Sequence, residues 1–325
     1  MALYAVANKK GNKLLDWLHV FGGLIALIIG GDILVRGAVS LAARLGIPAL
    51  IVSLTVVAFG TSAPELLIGI QSALEGVPEL AIGNVVGSNV ANVLLILGVP
   101  AILTGLQAQS TGGSRNFLLM MFATIAFIAI AYTQPFGIWQ GVLLLVLLVG
   151  ILTTSFIKAQ TDKKLREEIE EEAEDEGLQT WKMVAFLVAG MVLLPVGADL
   201  LVEGATEIAE DFGFPEAIIG LTLVALGTSL PELATTVAAG FRKQGDVALG
   251  NVLGSNMFNL LAIIGATSLV APVPVPKEFF HIDFWVMAAS SLILLPFAMY
   301  RWKLTRVWGI IFVALYLAYV IFLLG

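Results

Sequence analysis

The chain has no cysteine and only two histidines among its 325 residues. Disulfides, a thiolate nucleophile and a Cys-ligated metal are therefore excluded. His19 and His281 each have a carboxylate nearby in sequence, Asp16 and Asp283. Neither has a second His or a Cys to complete a ligand set, so a transition-metal site is not expected, and both read as interface residues at helix ends. Charge is also scarce. Charged residues make up 13% of the chain, against about 25% in soluble domains. No basic run with interleaved aromatics points to nucleic acid, and no nucleophile–base pair points to an enzyme. Neither a cofactor nor an obligate protein partner is expected.

What the chain does have is apolar length. It is 58% hydrophobic with a mean hydropathy of +0.96. Apolar stretches long enough to span a bilayer fall near 17–43, 47–73, 80–105, 115–133, 136–158, 182–208, 215–240, 247–271, 282–300 and 306–324. Inside a bilayer the backbone must satisfy its own hydrogen bonds, and the alternating ten-residue pattern of a β-barrel is absent, so these are helices. The fold class is all-α, a polytopic membrane protein with ten transmembrane helices and lipid as its surroundings. The Lys9, Lys10 and Lys13 cluster ahead of the first stretch resembles a signal peptide. The stretch is too long for one, however, and contains Asp32 and Arg36.

Lys and Arg placement orients the chain. The odd-numbered loops carry Arg44, Arg115, Lys158, Lys163, Lys164, Arg166, Lys182, Arg242, Lys243, Arg301, Lys303 and Arg306, whereas the even loops carry only Lys277. The odd loops are expected in the cytoplasm and both termini outside, against the opposing pull of the N-terminal lysines. Three segments follow: residues 1–158, an acidic cytoplasmic linker at 159–181, and residues 182–325. The linker holds the acidic run Glu167 to Glu176 and reads as a solvated hinge, too short for a folded regulatory domain.

The halves repeat. At a constant offset of 167 residues, Asp32–Gly98 aligns without gaps on Asp199–Gly265, with roughly 30 of 67 positions identical. Gly60-Thr61-Ser62-Ala63-Pro64-Glu65 faces Gly227-Thr228-Ser229-Leu230-Pro231-Glu232. Gly83-Asn84-Val85-Val86-Gly87-Ser88-Asn89 faces Gly250-Asn251-Val252-Leu253-Gly254-Ser255-Asn256. Five helices per half is an odd number, so the second copy enters the membrane from the opposite side. Two inverted five-helix repeats are an architecture of secondary transporters. The identities concentrate on Gly, Pro, Ser, Thr, Asn and Glu, which a lipid-facing helix avoids, so low complexity does not explain them.

Glu65 and Glu232 lie mid-span, where a carboxylate is costly and marks function. Thr61 is four residues before Glu65 and shares its helix face, and Ser62 sits beside it. Pro64 lacks an N–H, frees the Gly60 carbonyl and bends the helix, so nearby carbonyls such as that of Ala58 can turn inward. Ala225, Thr228, Ser229, Pro231 and Glu232 repeat the pattern. Ser88 with Asn92, and Ser255 with Asn259, present further oxygens at four-residue spacing. Gly83 and Gly87, like Gly250 and Gly254, form small-xxx-small steps for close helix approach. For Asn84, Asn89, Asn251 and Asn256, hydrogen bonding between helices fits at least as well as ligation. Asp32 recurs as Asp199, and an Asp32–Arg36 pair within one helix is conceivable. Such a set of hard oxygens suits Ca²⁺ and also Na⁺.

At these motifs the chain resembles the sodium/calcium exchanger family of the cation/Ca²⁺ exchanger superfamily, in its prokaryotic form without large regulatory domains. The resemblance implies exchange of Na⁺ for Ca²⁺ by alternating access in a prokaryotic plasma membrane, with the first and sixth helices sliding over the remaining bundle. It assigns as cation ligands Ala58 (carbonyl), Thr61, Ser62, Glu65, Ser88 and Asn92, with Ala225 (carbonyl), Thr228, Ser229, Glu232, Ser255 and Asn259. Some members carry an acid at the position of Asn259. Here Asn occupies both that position and Asn92, which leaves two ionisable groups in the site and leaves proton coupling open. Ca²⁺/H⁺ antiport is the alternative. Relatives that use protons tend to carry a Glu where this chain has Val85, Val86 and Gly87, which favours Na⁺. A passive cation channel is disfavoured by the inverted repeat.

Overall fold

The structure is a computed structural model that describes residues 13–108, 112–161, 178–212 and 225–324. Its helices are α1 (Lys13–Leu45), α2 (Ala49–Thr61), α3 (Ala63–Leu74), α4 (Glu79–Leu103), α5 (Gly113–Ala131), α6 (Ile138–Thr161) and α7 (Thr180–Asp211). A single turn at Ala225–Gly227 precedes α8 (Leu230–Phe241), followed by α9 (Gly245–Val270), α10 (Phe279–Met299) and α11 (Arg306–Leu324). Among the described residues, eight helices are long and apolar enough to cross a membrane, or nine when the bent pair α2 and α3 counts as one span. The predicted stretch 215–240 is described only from residue 225 onward, so the tenth span lies partly outside these residues. Most of the acidic linker also lies outside them.

The two copies of the repeat appear as matched elements. α3 and α8 begin and end at equivalent residues. The residue ahead of each has nearly the same conformation, with φ −85° and ψ 7° at Ser62 and φ −89° and ψ 1° at Ser229. A π-helical turn opens at Asn92 in α4 (Asn92–Ile96) and recurs in α9 (Phe258–Ile263). Short π turns insert a residue into a helix and redirect the side chains that follow, often at functional sites.

α1 and α7 demonstrate that the repeat is inverted. They are copies of one helix, and they pack antiparallel. A Cβ at Gly23 would meet Leu201, one at Gly30 would meet Leu194, and one at Gly37 would meet Leu187. From the other side, Gly190, Gly197 and Gly204 press on Leu34, Ala26 and His19. These six glycines recur every seven residues, the period that keeps one seam of a helix against its partner. Glycine lets the backbones approach closely where no water is available to drive association. The first three lie at the offset of 167 from the second three, so the repeat reaches back beyond Asp32.

The remaining helices interlock across the halves. α5 and α6 lie against α9, and their counterparts α10 and α11 lie against α4. Two backbone bridges staple the loops in the same crossed manner. Leu106 exchanges hydrogen bonds with Leu304 at 2.9 and 2.7 Å, and Phe136 exchanges them with Val273 at 2.9 Å each. α9 packs on α2, where a Cβ at Gly250 would fall 2.5 Å from the Leu50 carbonyl oxygen. The Ser53 hydroxyl donates to the Val247 carbonyl at 2.6 Å across the same contact. The predicted small-xxx-small step at Gly250 and Gly254 is thus a helix contact, whereas no described atom lies within 4 Å of a Cβ built at Gly83 or Gly87.

Candidate functional site

The bend between α2 and α3 measures 44°. Pro64 at the start of α3 cannot donate an N–H, so the helical ladder breaks at Ser62 and restarts with Glu65 in its first turn. The same break ahead of Pro231 puts Glu232 in the first turn of α8. Glu65 and Glu232 are each 1% exposed. The Ser62 hydroxyl donates to Glu232 Oε1 at 3.1 Å, so the broken strands of helix from the two halves touch. Thr61, Ser88, Asn92, Ser229, Ser255 and Asn259 are buried with them, while Thr228 is half-buried.

Six of the predicted ligands carry a buried oxygen without a hydrogen-bond partner, as do Ser40, Asn89, Thr206 and Thr267 outside the predicted set. Among the described residues, Glu65 Oε2, Glu232 Oε2, Asn92 Oδ1, Asn259 Oδ1, Ser255 Oγ and Thr228 Oγ1 are buried without a hydrogen-bond partner. A buried polar atom without a partner costs about 1–3 kcal/mol. That all six are oxygens, drawn from both halves, is what a hard cation substrate requires, since Ca²⁺ takes six to eight oxygen ligands. Among the described residues no group of three or more His, Cys, Asp or Glu side chains is assembled elsewhere to hold a metal.

Several surrounding residues have settled roles. Asn251 is a brace: its Oδ1 accepts from Thr61 at 3.4 Å, and its Nδ2 donates to Thr236 at 3.2 Å. A hydroxyl that donates outward in this way keeps its lone pairs for the site. The Ala58 carbonyl accepts from Ser62 N at 3.0 Å and lies 3.3 Å from the Thr61 hydroxyl, whose single proton is shared between it and Asn251, so it is engaged in the helix and not turned free by the bend. Ala225 begins the single turn that leads to Thr228. Asp32 reaches across helices to Arg242, whose Nε and Nη2 both sit 2.6 Å from Asp32 Oδ1, a partner invisible to the i,i+4 spacing of Asp32 and Arg36. The Arg36 guanidinium lies over the Phe186 ring.

A cavity of about 560 Å³ opens between α3 and α7, lined by Pro64, Leu67, Ile68, Ala198, Asp199, Val202, Glu203 and Thr228. The equivalent contact, between α8 and α1, is shut. There a Cβ at Gly31 would lie 2.8 Å from the Ala234 carbonyl oxygen, and the Asp32–Arg242 pair closes the edge. The α1–α7 pair therefore leans toward one half of the repeat and away from the other.

A helical membrane bundle of inverted halves around buried, cation-ready oxygens is the build of a secondary transporter. The chain belongs to the sodium/calcium exchanger protein family, whose model matches residues 15–157 and 182–325. It is 31% identical to the sodium/calcium exchanger MaX1 of Methanosarcina acetivorans over 95% of this chain and 98% of that one. It is 34% identical to the inner membrane protein YrbG of Escherichia coli over 86% of this chain and 87% of that one. Among solved structures, the sodium-calcium exchanger NCX_Mj soaked with zero Na⁺ and Ca²⁺ superposes with a TM-score of 0.82 at 32% identity, covering 95% of this chain and 99% of that chain. The chain is thus an integral membrane protein of a cation/Ca²⁺ exchanger family.

Proposed function

We propose that the protein exchanges Na⁺ for Ca²⁺ by alternating access, with the substrate cations held between Glu65 and Glu232. The observation that carries this reading is the set of unpaired buried oxygens on Glu65, Glu232, Asn92, Asn259, Ser255 and Thr228. Thr61, Ser62, Ser88 and Ser229 are buried in the same motifs, and the carbonyl of Ala225 completes the proposed ligand set; the Ala58 carbonyl, held within the helix, is left out of it. Two carboxylates neutralise one divalent cation or admit two monovalent ones, so Na⁺ and Ca²⁺ compete for one place. MaX1 and NCX_Mj carry sodium and calcium in their names, which supports the same pair of ions.

The chain divides into halves at 1–158 and 182–325, joined by the hinge 159–181. With the odd loops in the cytoplasm, Arg242 and the shut contact face inward and the cavity beside Asp199 opens outward. Uptake of ⁴⁵Ca²⁺ into proteoliposomes tests the coupling. An outward Na⁺ gradient is expected to drive uptake, and an imposed pH gradient alone is not. Uptake driven only by the pH gradient would replace this reading with Ca²⁺/H⁺ antiport, and channel-like rates without any counter-ion gradient would replace it with a passive pore.

A further inference from the structure

The ligand set contains two asparagines, and an asparagine presents either an oxygen or an NH₂ to its surroundings. Only the oxygen serves a cation. The structure holds a chain of contacts that makes the choice for Asn92. Asn92 Nδ2 donates to Asn256 Oδ1 at 3.0 Å, and Asn256 Nδ2 donates to Met120 Sδ at 3.8 Å. All three side chains are buried, and they come from α4, α9 and α5 respectively.

The methionine sets the sense of this chain. A thioether sulfur accepts weakly and never donates, so Asn256 satisfies it only by turning its NH₂ toward Met120. That rotation commits the Asn256 oxygen to Asn92. The NH₂ of Asn92 then points away from the site, and its Oδ1 is the atom left unpaired. The Asn–Met link recurs with the halves exchanged, Asn89 Nδ2 donating to Met287 Sδ at 3.7 Å, but there the Asn89 oxygen has no partner, so the full chain is particular to Asn92. Met120 and Met287 stand at the offset of 167, outside the aligned stretch Asp32–Gly98.

We infer that Met120 and Asn256 are positioning residues that hold the Asn92 amide oxygen-inward for the cation. The inference rests on Asn92 being a ligand. Without the relay the amide flips, and a flip between two equal orientations halves the competent fraction and so the affinity. Unpaired carboxylate oxygens in the site draw the NH₂ inward and deepen the loss.

Ca²⁺ binding to the purified protein by isothermal titration calorimetry tests this independently of the coupling ion. Met120→Leu conserves volume and apolar character but removes the acceptor. Its expected effect is a rise in the Ca²⁺ dissociation constant of about 2–10-fold, with the melting temperature within a degree or two of wild type. Asn256→Ala is expected to weaken binding at least as much. The deciding measurement repeats Met120→Leu in an Asn92→Ala background, where no amide at position 92 remains to be oriented. There it should leave the affinity unchanged. A similar loss in both backgrounds would overturn the relay and assign Met120 a packing role, as would wild-type affinity in Met120→Leu itself. If Asn92→Ala alone left Ca²⁺ affinity unaltered, Asn92 would not be a ligand, and the site assignment would fall with the relay.

Discussion

Removing the guanidinium of Arg242 should loosen the shut side of the transporter by an amount that can be worked out beforehand. Among the sequence differences between the closed α1–α8 contact and its open counterpart, two bear directly on closure. Gly31 admits the α8 backbone, whereas the equivalent Ala198 carries a Cβ. Asp32 pairs with Arg242, whereas the equivalents Asp199 and Glu75 are both acidic and cannot pair. Arg242→Gln deletes the ion pair and leaves the Gly31 contact in place. Its side chains are 30% and 41% exposed for Arg242 and Asp32, so the pair belongs with solvent-screened ones worth about 0.2–1 kcal/mol. Two nitrogens on one oxygen place it near the upper end. About 1 kcal/mol shifts an equilibrium between two conformers roughly fivefold. Thr235 reports that shift. It is 0% exposed, while the equivalent Ile68, lining the open cavity, is 38% exposed. The chain has no cysteine, so Thr235→Cys supplies a single thiol that a maleimide reaches only when α1 withdraws. Its labelling rate should rise up to about fivefold with Arg242→Gln, and fall back when Asp32→Arg is combined with Arg242→Asp. Equal rates with and without Arg242→Gln would refute the latch. A rise that the charge swap does not reverse would place the effect in packing.

Glu65→Gln and Glu232→Gln each remove one of the two buried carboxylates of the proposed site, and each should abolish Na⁺-driven ⁴⁵Ca²⁺ uptake while the protein still elutes as a folded species in size-exclusion chromatography. Gly250→Ala forces a methyl to 2.5 Å from the Leu50 carbonyl oxygen, an overpacking that costs about 1–3 kcal/mol and should lower the melting temperature in detergent by several degrees. Lys243 holds a φ of +58° where the equivalent Gly76 has +81°. A left-handed conformation is strained for lysine and natural for glycine, so Lys243→Gly should raise stability by about 1 kcal/mol, read as an increase in melting temperature.

Much of this was legible in residue types. Pro64 and Pro231 cannot complete a helical ladder, so a break beside each glutamate follows from covalent chemistry. Glu65 and Glu232 stand out because a bilayer penalises a carboxylate that serves no purpose. The offset of 167 carried by Gly, Ser, Thr, Asn and Glu, with five helices per half, predicts the inversion that the antiparallel α1 and α7 display. Of the heptad glycines of those two helices, Gly37 and Gly204 lay inside the aligned stretch, but Gly23, Gly30, Gly190 and Gly197 lay upstream of it.

Other features have no local trace. Asp32 and Arg242 are separated by more than half of the chain, and nothing about either residue names the other. The asymmetry of the two gates depends on Gly31 against Ala198 and Arg242 against Glu75, differences that look like ordinary divergence until the helices are packed. Asn251 and Asn256 read alike with Asn92 and Asn259, as amides in polar helices. Their neighbours decide that one braces Thr61, another orients Asn92, and the last two keep free oxygens. By itself the sequence determined the membrane fold, the repeat and the pair of carboxylates, because each follows from the cost of a residue type in lipid or in a helix. Only the tertiary structure decided which oxygens stay unpaired and which side stands open, because both depend on distances between helices that are far apart along the chain.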